Sequence, residues 1–361
     1  MTTKKALNLS VSGVGVTSCF GNAENTCAAI RAGLNGFYES EMMLPIPGDV
    51  EPQNVVTAPI SFVAGSESYG RLLALIIPAL AEALASANLK LHDLSATDLL
   101  LVLPPESSRY ALDDIDSFAK EFPQGIEKFI KDGLKRNIHS KLEFRNFTIL
   151  EGLHSGFADA LISAGKYLTQ ENCDRVAICC VDSLIEEGNI ELLMKDNKVK
   201  LATNPAGLIP GECAAVAIIE NRASNESLGT ISTVSIEAGE DNEIDNVLDA
   251  SLFSTAKLLI GMGQANVFNG PKVDLLIDIN GEYERAKYWA NNIMQAQNIL
   301  ESSFNVNSTA ESLGDIGACT GLLGVIKALH MFSRGYAKNH CILIGTVSDD
   351  NNAGIIAVNR D

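Results

Sequence analysis

The sequence predicts an α/β protein made of two similar halves, and three observations lead to this prediction. Hydrophobic residues make up 46% of the 361 residues and charged residues 20%, as in folded globular chains. Apolar runs of strand length alternate with segments whose apolar residues recur at helical spacing. One order of elements also occurs twice along the chain, which indicates a duplicated domain.

The first predicted elements are a strand, LNLSVSGVGVTSCFG, and a helix, NAENTCAAIRAGLNGF. Nucleotide-binding domains begin in the same way, but Ser18 occupies the place of the third glycine of GxGxxG, so we predict no dinucleotide site. Residues 40–60 contain four prolines and are predicted to form an irregular loop. Leucine and isoleucine at helical spacing predict a helix over about 68–88, with Pro78 kinking it or delaying its start.

The middle of the first half is predicted to hold a buried strand and an insertion. The continuous apolar run DLLLVLP (98–104) is typical of a parallel strand covered on both faces. A helical region is inserted over about 104–145 and leads into the strand LEFRNFTIL (142–150). Left as an edge, this strand would expose unpaired backbone groups, so we expect a partner to cover it.

The repeated order is a helix, a buried strand, a polar turn and a final strand. The first copy contains HSGFADALISAGKYL, RVAICCVDS and CAAVAIIENR, and the second contains GACTGLLGVIKALHMF, CILIGTVSDD and AGIIAVNR. A polar stretch at 222–229 separates them. We therefore predict two halves, 1–225 (with the insertion) and 226–361.

The net charge of −18 disfavours nucleic acid and anionic membrane surfaces as partners. The balance reverses over 128–145, where the basic residues are Lys128, Lys131, Lys135, Arg136, Lys141 and Arg145. This stretch is either a solvated helix face or a docking surface for an acidic partner.

Targeting and metal-binding patterns are not apparent in the sequence. The N-terminal segment lacks the long apolar core of a signal peptide, and the longest uncharged stretch near it is too short to cross a bilayer. We therefore expect a cytoplasmic protein. The eight cysteines show no CxxC spacing, so we predict no zinc site and no cofactor, and interpret the cysteines as small buried side chains.

Five stretches carry a resemblance to a known family. They are, in order, VSGVGVTSCFGNAENTCAAIRAGLNGF, YGRLLALIIPALAEALASANL, GLHSGFADALISAG, PGECAAVAIIENR and STAESLGDIGACTGLLGVIKAL. Together with the duplication, they resemble the β-ketoacyl synthases (3-oxoacyl-ACP synthases) of the thiolase superfamily over nearly the whole chain. The resemblance implies a thiolase-like fold, with two α/β halves packed into five α-β-α-β-α layers, usually as a dimer.

The resemblance also implies where a reactive site would lie. In such synthases a cysteine at a helix N-terminus takes up the acyl chain and two histidines support decarboxylative condensation. The family cysteine precedes a Gly-x-His element, here 152–154, which places Ile149 at its position. Asn280 matches the first histidine, and Asp315, in ESLGD (311–315), matches the second. Residues 346–351 (TVSDDN) replace the glycine-phenylalanine loop of the family.

None of the three matching side chains supplies the family chemistry, so the resemblance implies a degenerate site without catalytic residues. Ile149, Asn280 and Asp315 are expected to converge. Thr148 and Glu151 form a Thr-x-x-Glu capping box and predict a helix start there. The remaining candidates are Cys19 and Cys319 as reactive thiols, and a possible acidic cation site of Asp278, Glu282, Glu311 and Asp315.

Three functions remain open at this point. The leading hypothesis is a non-catalytic, chain-length-factor-like pseudoenzyme that pairs with an active synthase in fatty-acid- or polyketide-type assembly. It would form a homodimer or a heterodimer, with acyl carrier protein as a further partner. The first alternative is a binding or scaffolding role on a reused thiolase fold. The second is an acyl-transfer or acyl-hydrolase enzyme that uses Ser155, Cys319 or an acidic group.

Overall fold

The computed structural model describes most of the chain, namely residues 2–44, 53–109, 125–170, 172–221, 227–237, 273–296, 308–349 and 352–360. The helices are α1 (Ala23–Arg31), α2 (Ser68–Ser86), α3 (Gly125–Asn137), α4 (Gly156–Tyr167), α5 (Glu187–Lys195), α6 (Tyr283–Ala296), α7 (Ala310–Leu313) and α8 (Thr320–Ser333). The strands are β1 (Thr2–Thr17), β2 (Tyr38–Leu44), β3 (Gln53–Thr57), β4 (Thr97–Leu103), β5 (Asn146–Glu151), β6 (Arg175–Ser183), β7 (Glu212–Glu220), β8 (Gly229–Glu237), β9 (Asp274–Ile277), β10 (Cys341–Val347) and β11 (Ala353–Asn359).

Nine of these strands form one mixed sheet in the order β5-β4-β6-β7-β1-β8-β11-β10-β9, and β2 and β3 form a separate hairpin. Strand β1 connects the two halves of the large sheet. It pairs antiparallel with β7 of the first half and, mostly through its earlier residues, antiparallel with β8 of the second half. The two halves therefore share one hydrogen-bonded sheet.

Helices cover both faces of each half of the sheet. Because side chains alternate along a strand, β6 directs Val176, Ile178 and Cys180 into the central core and Ala177, Cys179 and Val181 into an outer core. The central core lies between the two halves and contains α4 and α8. Helices α2 and α3 cover the outside of the first half, and α6 covers the outside of the second. The predicted α-β-α-β-α layer order is confirmed.

The predicted repeat of helix, strand and strand is present in both halves. It consists of α4, β6 and β7 in the first half and α8, β10 and β11 in the second. In each copy the last two strands pair antiparallel. Part of the predicted linker, residues 222–226, lies outside the described residues, so the domain boundary stays a prediction.

Two further elements, β4 and α2, lie where the sequence predicts a strand and a helix. Strand β4 is buried along its whole length and pairs parallel with both β5 and β6, as the run 98–104 predicts. Helix α2 begins well before Pro78, so the predicted late start is wrong. By length and composition α2 could cross a membrane, but its Arg71 is buried against Glu212, at 2.7 Å, as in the core helix of a folded domain.

Glycines let α2 lie close to β1. A Cβ atom on Gly15 would lie 2.0 Å from the carbonyl oxygen of Ala79, and one on Gly13 would lie 2.6 Å from that of Ala83. The glycines that suggest a nucleotide-binding turn are thus part of a strand packed against a helix backbone.

Three local predictions are wrong. Residues 40–60 include the strands β2 and β3, which pair antiparallel, while 45–52 lie outside the described residues. Residues 148–151 form part of β5 rather than a helix start, because their backbone pairs with β4. Strand β5 also begins later than position 142, since the Arg145 amide bonds instead to the carbonyl groups of Leu94 and Thr97. Of the predicted insertion, residues 110–124 lie outside the described residues.

Candidate functional site

The start of α4 lies in the interior between the two halves. A tight turn leads from β5 into this helix, and a Cβ atom on Gly152 would lie 2.6 Å from the Cα of Gly156. Ser155 immediately precedes the helix and is 2% exposed. Its amide donates a hydrogen bond of 2.8 Å to the hydroxyl oxygen of Ser348, and the two hydroxyl oxygens are 2.7 Å apart. Two serine hydroxyls thus meet at the positive end of a helix dipole.

A buried ion pair joins the two halves beside this helix start. His154 Nε2 lies 2.8 Å from Asp315 Oδ1, and both side chains are buried. Asp315 also accepts hydrogen bonds from the side-chain amide of Asn280, at 2.7 Å, and from the amide of Gly317, at 2.8 Å. The pair therefore sits in a network of donors.

In this pair, the charge of each residue shifts the pKa of the other. Burial alone would lower the pKa of His154, but the Asp315 carboxylate outweighs burial and raises it. Burial alone would raise the pKa of Asp315, but His154, with help from Arg285 and Asn280, holds it well below its usual range. The raised pKa of His154 and the lowered pKa of Asp315 both favour the charged pair over the neutral one. Among the described residues, His154 Nδ1 has no hydrogen-bond partner.

A second charged network lies next to the first. Arg285 is buried and donates to Asp278 at 2.8 Å, to Asp349 at 3.0 Å and to the carbonyl oxygen of Val347. Asp278 also accepts from the indole nitrogen of Trp289 at 2.6 Å. Burial opposes ionisation of Asp349, but Arg285 and then Lys198 lower its pKa to about 2.

Most carboxylates of the predicted acidic cluster bond to other side chains of the protein. Asp278 and Asp315 are bound to cations within the protein, Glu282 accepts from Asn280 at 2.7 Å, and Glu311 is exposed. No group of three or more potential ligands that could hold a metal ion is found in the part of the chain that the structure describes. Asp278, Glu282 and Asp315 therefore pair with the protein's own basic groups.

The structure brings only part of the predicted site together. Asn280 and Asp315 are in contact, but Ile149 lies within β5 and packs against the outer core that α2 and α3 cover. The expected convergence of all three is therefore wrong for Ile149. Its physical cause is the pairing of β5 with β4, which extends to Glu151 and delays the turn. Ser155, six residues later, takes the place at the helix start.

The sequence analysis does not predict Ser348 as a site residue, because no motif or spacing links it to Ser155. It lies 193 positions from Ser155, in the segment that replaces the family loop, whose residues 350 and 351 lie outside the described residues. The turn at Ser155 does have a sequence signal, because two glycines four residues apart follow a strand-forming run. A single sequence cannot reveal contacts between its two halves.

The candidate thiols are not placed for reactivity. Cys319 is fully buried, and its thiol donates to the carbonyl oxygens of Cys180, at 3.1 Å, and Cys213, at 3.0 Å. Burial raises its pKa well above the ordinary value. Cys19 is half-buried, and burial raises its pKa to about 11. Neither is a thiolate at neutral pH.

The basic stretch lies mostly on the exposed face of α3, with one exception. Arg145 donates two hydrogen bonds to buried Asp98, at 2.7 and 2.6 Å, and its side chain is 18% exposed. Arg145 therefore anchors the start of β5, and its proposed part in docking is corrected. The exposed ion pairs on α3 and the loop after it are Lys128–Asp132, Lys131–Glu127 and Lys135–Glu143.

Solved structures of other proteins share this fold. No protein-family model and no curated protein matches the chain. Among solved structures, the ketosynthase from module 6 of the bacillaene synthase of Bacillus subtilis 168 matches with a TM-score of 0.75 over 98% of this chain and 72% of that chain. The chain has the ketosynthase fold. The predicted thiolase-like fold is confirmed.

Two further matches include paired assemblies. The ishigamide ketosynthase/chain length factor matches with a TM-score of 0.68, covering 98% of this chain and 99% of that chain. A type II polyketide-synthase acyl-carrier protein in complex with its ketosynthase matches with a TM-score of 0.74, covering 99% and 100%. The sequence identity is 11% to the bacillaene ketosynthase, 15% to the ishigamide protein and 12% to the carrier-protein complex. At identities this low, the matches show a shared ketosynthase fold and no more.

Proposed function

We propose that this chain is a non-catalytic, ketosynthase-like subunit that pairs with an active ketosynthase in fatty-acid- or polyketide-type acyl chain assembly in the cytoplasm. The observation that carries the proposal is Ser155 at the buried start of α4. Condensation by the family mechanism needs a thiolate at such a helix start, where the dipole lowers the pKa of the thiol. A serine hydroxyl hydrogen-bonded to another serine does not supply one.

The electrostatics around Ser155 support the same conclusion. Decarboxylative condensation develops negative charge on an enolate oxygen, which needs hydrogen-bond donors or positive charge nearby. Here Asp315 is ionised, and its two carboxylate oxygens already bond to the side-chain amide of Asn280 and to the Nε2 atom of His154. A fixed carboxylate opposes the negative charge that the reaction develops, and the Nε2 atom of His154 is already engaged by that carboxylate.

The unpaired edge of the sheet supports the pairing part of the proposal. Strand β5 lies at the end of the nine-stranded sheet and pairs with β4 on one side. Among the described residues, no strand pairs with its other side. Its side chains are only partly buried, including Phe147 and Ile149. We propose that β5 continues the sheet across a dimer that buries more than about 2,000 Å² in total.

Acyl carrier protein is the proposed third component. The docking surface consists of Lys128, Lys131, Lys135, Arg136 and Lys141 and leaves out Arg145. A basic surface on a chain of net charge −18 favours an acidic partner at this place and disfavours one elsewhere.

Light scattering on the purified chain, alone and mixed with an active ketosynthase from the same pathway, tests the pairing. We expect a one-to-one heterodimer. A chain that remains a monomer in both samples at micromolar concentration contradicts the proposal. A homodimer that does not exchange with the ketosynthase favours the scaffolding alternative.

Intact-mass analysis after incubation with acyl and malonyl thioesters tests the absence of catalysis. We expect no covalent adduct and no decarboxylation. An acyl adduct on a cysteine would overturn the proposal.

A second candidate function, acyl hydrolysis, has one observation in its favour. The Ser155 hydroxyl lies at a helix N-terminus, next in sequence to a His154–Asp315 pair whose Nδ1 atom is unpartnered among the described residues. A fluorophosphonate probe, which labels activated serines, distinguishes the candidates. Labelling that is abolished by Ser155→Ala would support hydrolysis, and the absence of labelling supports the non-catalytic subunit.

A further inference from the structure

We infer that the ion pairs of Asp349 lock the Ser348 hydroxyl against the start of α4, so that the chain occludes the place where an acyl group would bind. The inference rests on the proposed function, since it gives a reason why this subunit takes up no acyl group itself. The lock consists of Ser348, Asp349, Arg285 and Lys198. It crosses between the halves, because Lys198 lies between α5 and β7, and the other three residues belong to the second half.

The hydroxyl of Ser348 fills the place of an external ligand at the start of α4. A backbone amide at a helix N-terminus binds carbonyl and carboxylate oxygens well, because the helix dipole favours negative charge there. The Ser155 amide already donates to the Ser348 hydroxyl at 2.8 Å, and Ser348 is 1% exposed. The oxygen of an acyl group must therefore displace Ser348 before it can bind this amide.

A single buried arginine holds the chain on both sides of Ser348. Arg285 lies in α6, and its side chain is 3% exposed. It donates to the carbonyl oxygen of Val347 and, at 3.0 Å, to the Oδ1 atom of Asp349. Because one rigid guanidinium binds the residues before and after Ser348, the serine between them has little freedom to swing away from Ser155.

Lys198 completes the lock from the first half of the molecule. Its ammonium lies 2.5 Å from the Oδ2 atom of Asp349, so both carboxylate oxygens of Asp349 are bound to cations. The side chain of Asp349 is 50% exposed and that of Lys198 is 28% exposed. Solvent therefore reaches this pair but not the buried Arg285, and the lock opens most readily on the Lys198 side.

Hydrogen–deuterium exchange of the purified chain, followed by mass spectrometry, tests the lock at the peptide that contains Ser155. Ser348→Ala should speed exchange of this peptide about tenfold, because a buried amide exchanges only when its hydrogen bond is open and the variant removes the acceptor. Asp349→Asn keeps the shape of the side chain but removes the charge that Arg285 and Lys198 bind, so it should speed exchange about fivefold.

Two controls separate release of the lock from a general loss of stability. Strand β4 is buried along its whole length and should keep its wild-type exchange rate in both variants. Asp132→Asn makes the same change at a carboxylate that is 54% exposed and pairs with Lys128 on α3, and it should leave exchange at Ser155 unchanged. Equally faster exchange at β4 and Ser155 would count against a local lock.

The inference is overturned if folded Ser348→Ala and Asp349→Asn both exchange at Ser155 within about twofold of the wild-type rate. If Ser348→Ala does not fold, as shown by circular dichroism, Asp349→Asn compared with Asp132→Asn still decides. The measurement needs neither a ketosynthase nor an acyl donor. A failed lock therefore leaves the pairing seen by light scattering untouched, and a chain that stays monomeric still shows whether Ser155 is protected.

Discussion

The buried pair of His154 and Asp315 should contribute strongly to stability, and Asp315→Asn tests this. The carboxylate accepts from His154 and Gly317 through Oδ1 and from Asn280 through Oδ2. An asparagine of the same shape must direct its NH₂ group towards one of these donors. It also leaves His154 without the carboxylate that raises its pKa. Breaking one partner of a buried ion pair costs about 3–5 kcal/mol, so we expect a loss of about 3 kcal/mol in the free energy of unfolding.

The dependence of stability on pH gives this prediction a second readout. The pKa of His154 is raised above its ordinary 6.5, so its contribution is complete below pH 6.5 and is lost as the pH rises through the folded-state value. The pKa of Asp315 is lowered from its ordinary 3.8, so its contribution is complete above that pH and is lost as the pH falls. The pair should stabilise the protein most between these two values, and Asp315→Asn should flatten the profile.

Urea unfolding followed by fluorescence provides the assay, because Trp289 is the only tryptophan and is fully buried. Asp132→Asn is the matched control. Its carboxylate is 54% exposed and lies 3.9 Å from Lys128, so the expected loss is below about 1 kcal/mol. A loss of less than about 1 kcal/mol for Asp315→Asn, together with an unchanged pH profile, would refute the reasoning.

Three further predictions concern the helix start and the packing around it. Ile149→Cys should give no acyl adduct by intact-mass analysis, because position 149 lies in a strand; an adduct there would restore the sequence-based mapping. Ser155→Cys should give a thiol that stays slow towards a maleimide, since the side chain is buried, and should not decarboxylate a malonyl thioester beside ionised Asp315; turnover would contradict the electrostatic argument. Gly15→Ala should lower the free energy of unfolding by about 2 kcal/mol or more, because its Cβ would lie 2.0 Å from the Ala79 carbonyl oxygen; a change within about 0.5 kcal/mol in urea unfolding would mean that α2 moves freely.

Features that arise from local periodicity could be predicted from the sequence, and features that arise from distant contacts could not. The buried strand β4 and both copies of the repeat follow from runs of apolar residues. The capping pattern at Thr148 and Glu151 is equally local, but pairing with β4 overrides it. The His154–Asp315 contact joins positions 161 residues apart, so nothing in their neighbourhoods announces it. The same holds for Arg145, whose charge suggests a free surface group although it binds buried Asp98.

The placement of β1 at the junction of the two halves has a consequence for folding during synthesis. This strand leaves the ribosome well before its partners β7 and β8, which end at Glu220 and Glu237. At roughly 5–20 residues per second, the nascent chain waits on the order of ten to forty seconds before β1 can pair on both sides. The strands β5, β4, β6, β7 and β1 all end by Glu220, so this part of the sheet can form first, and the second edge of β1 is then available to pair with β8.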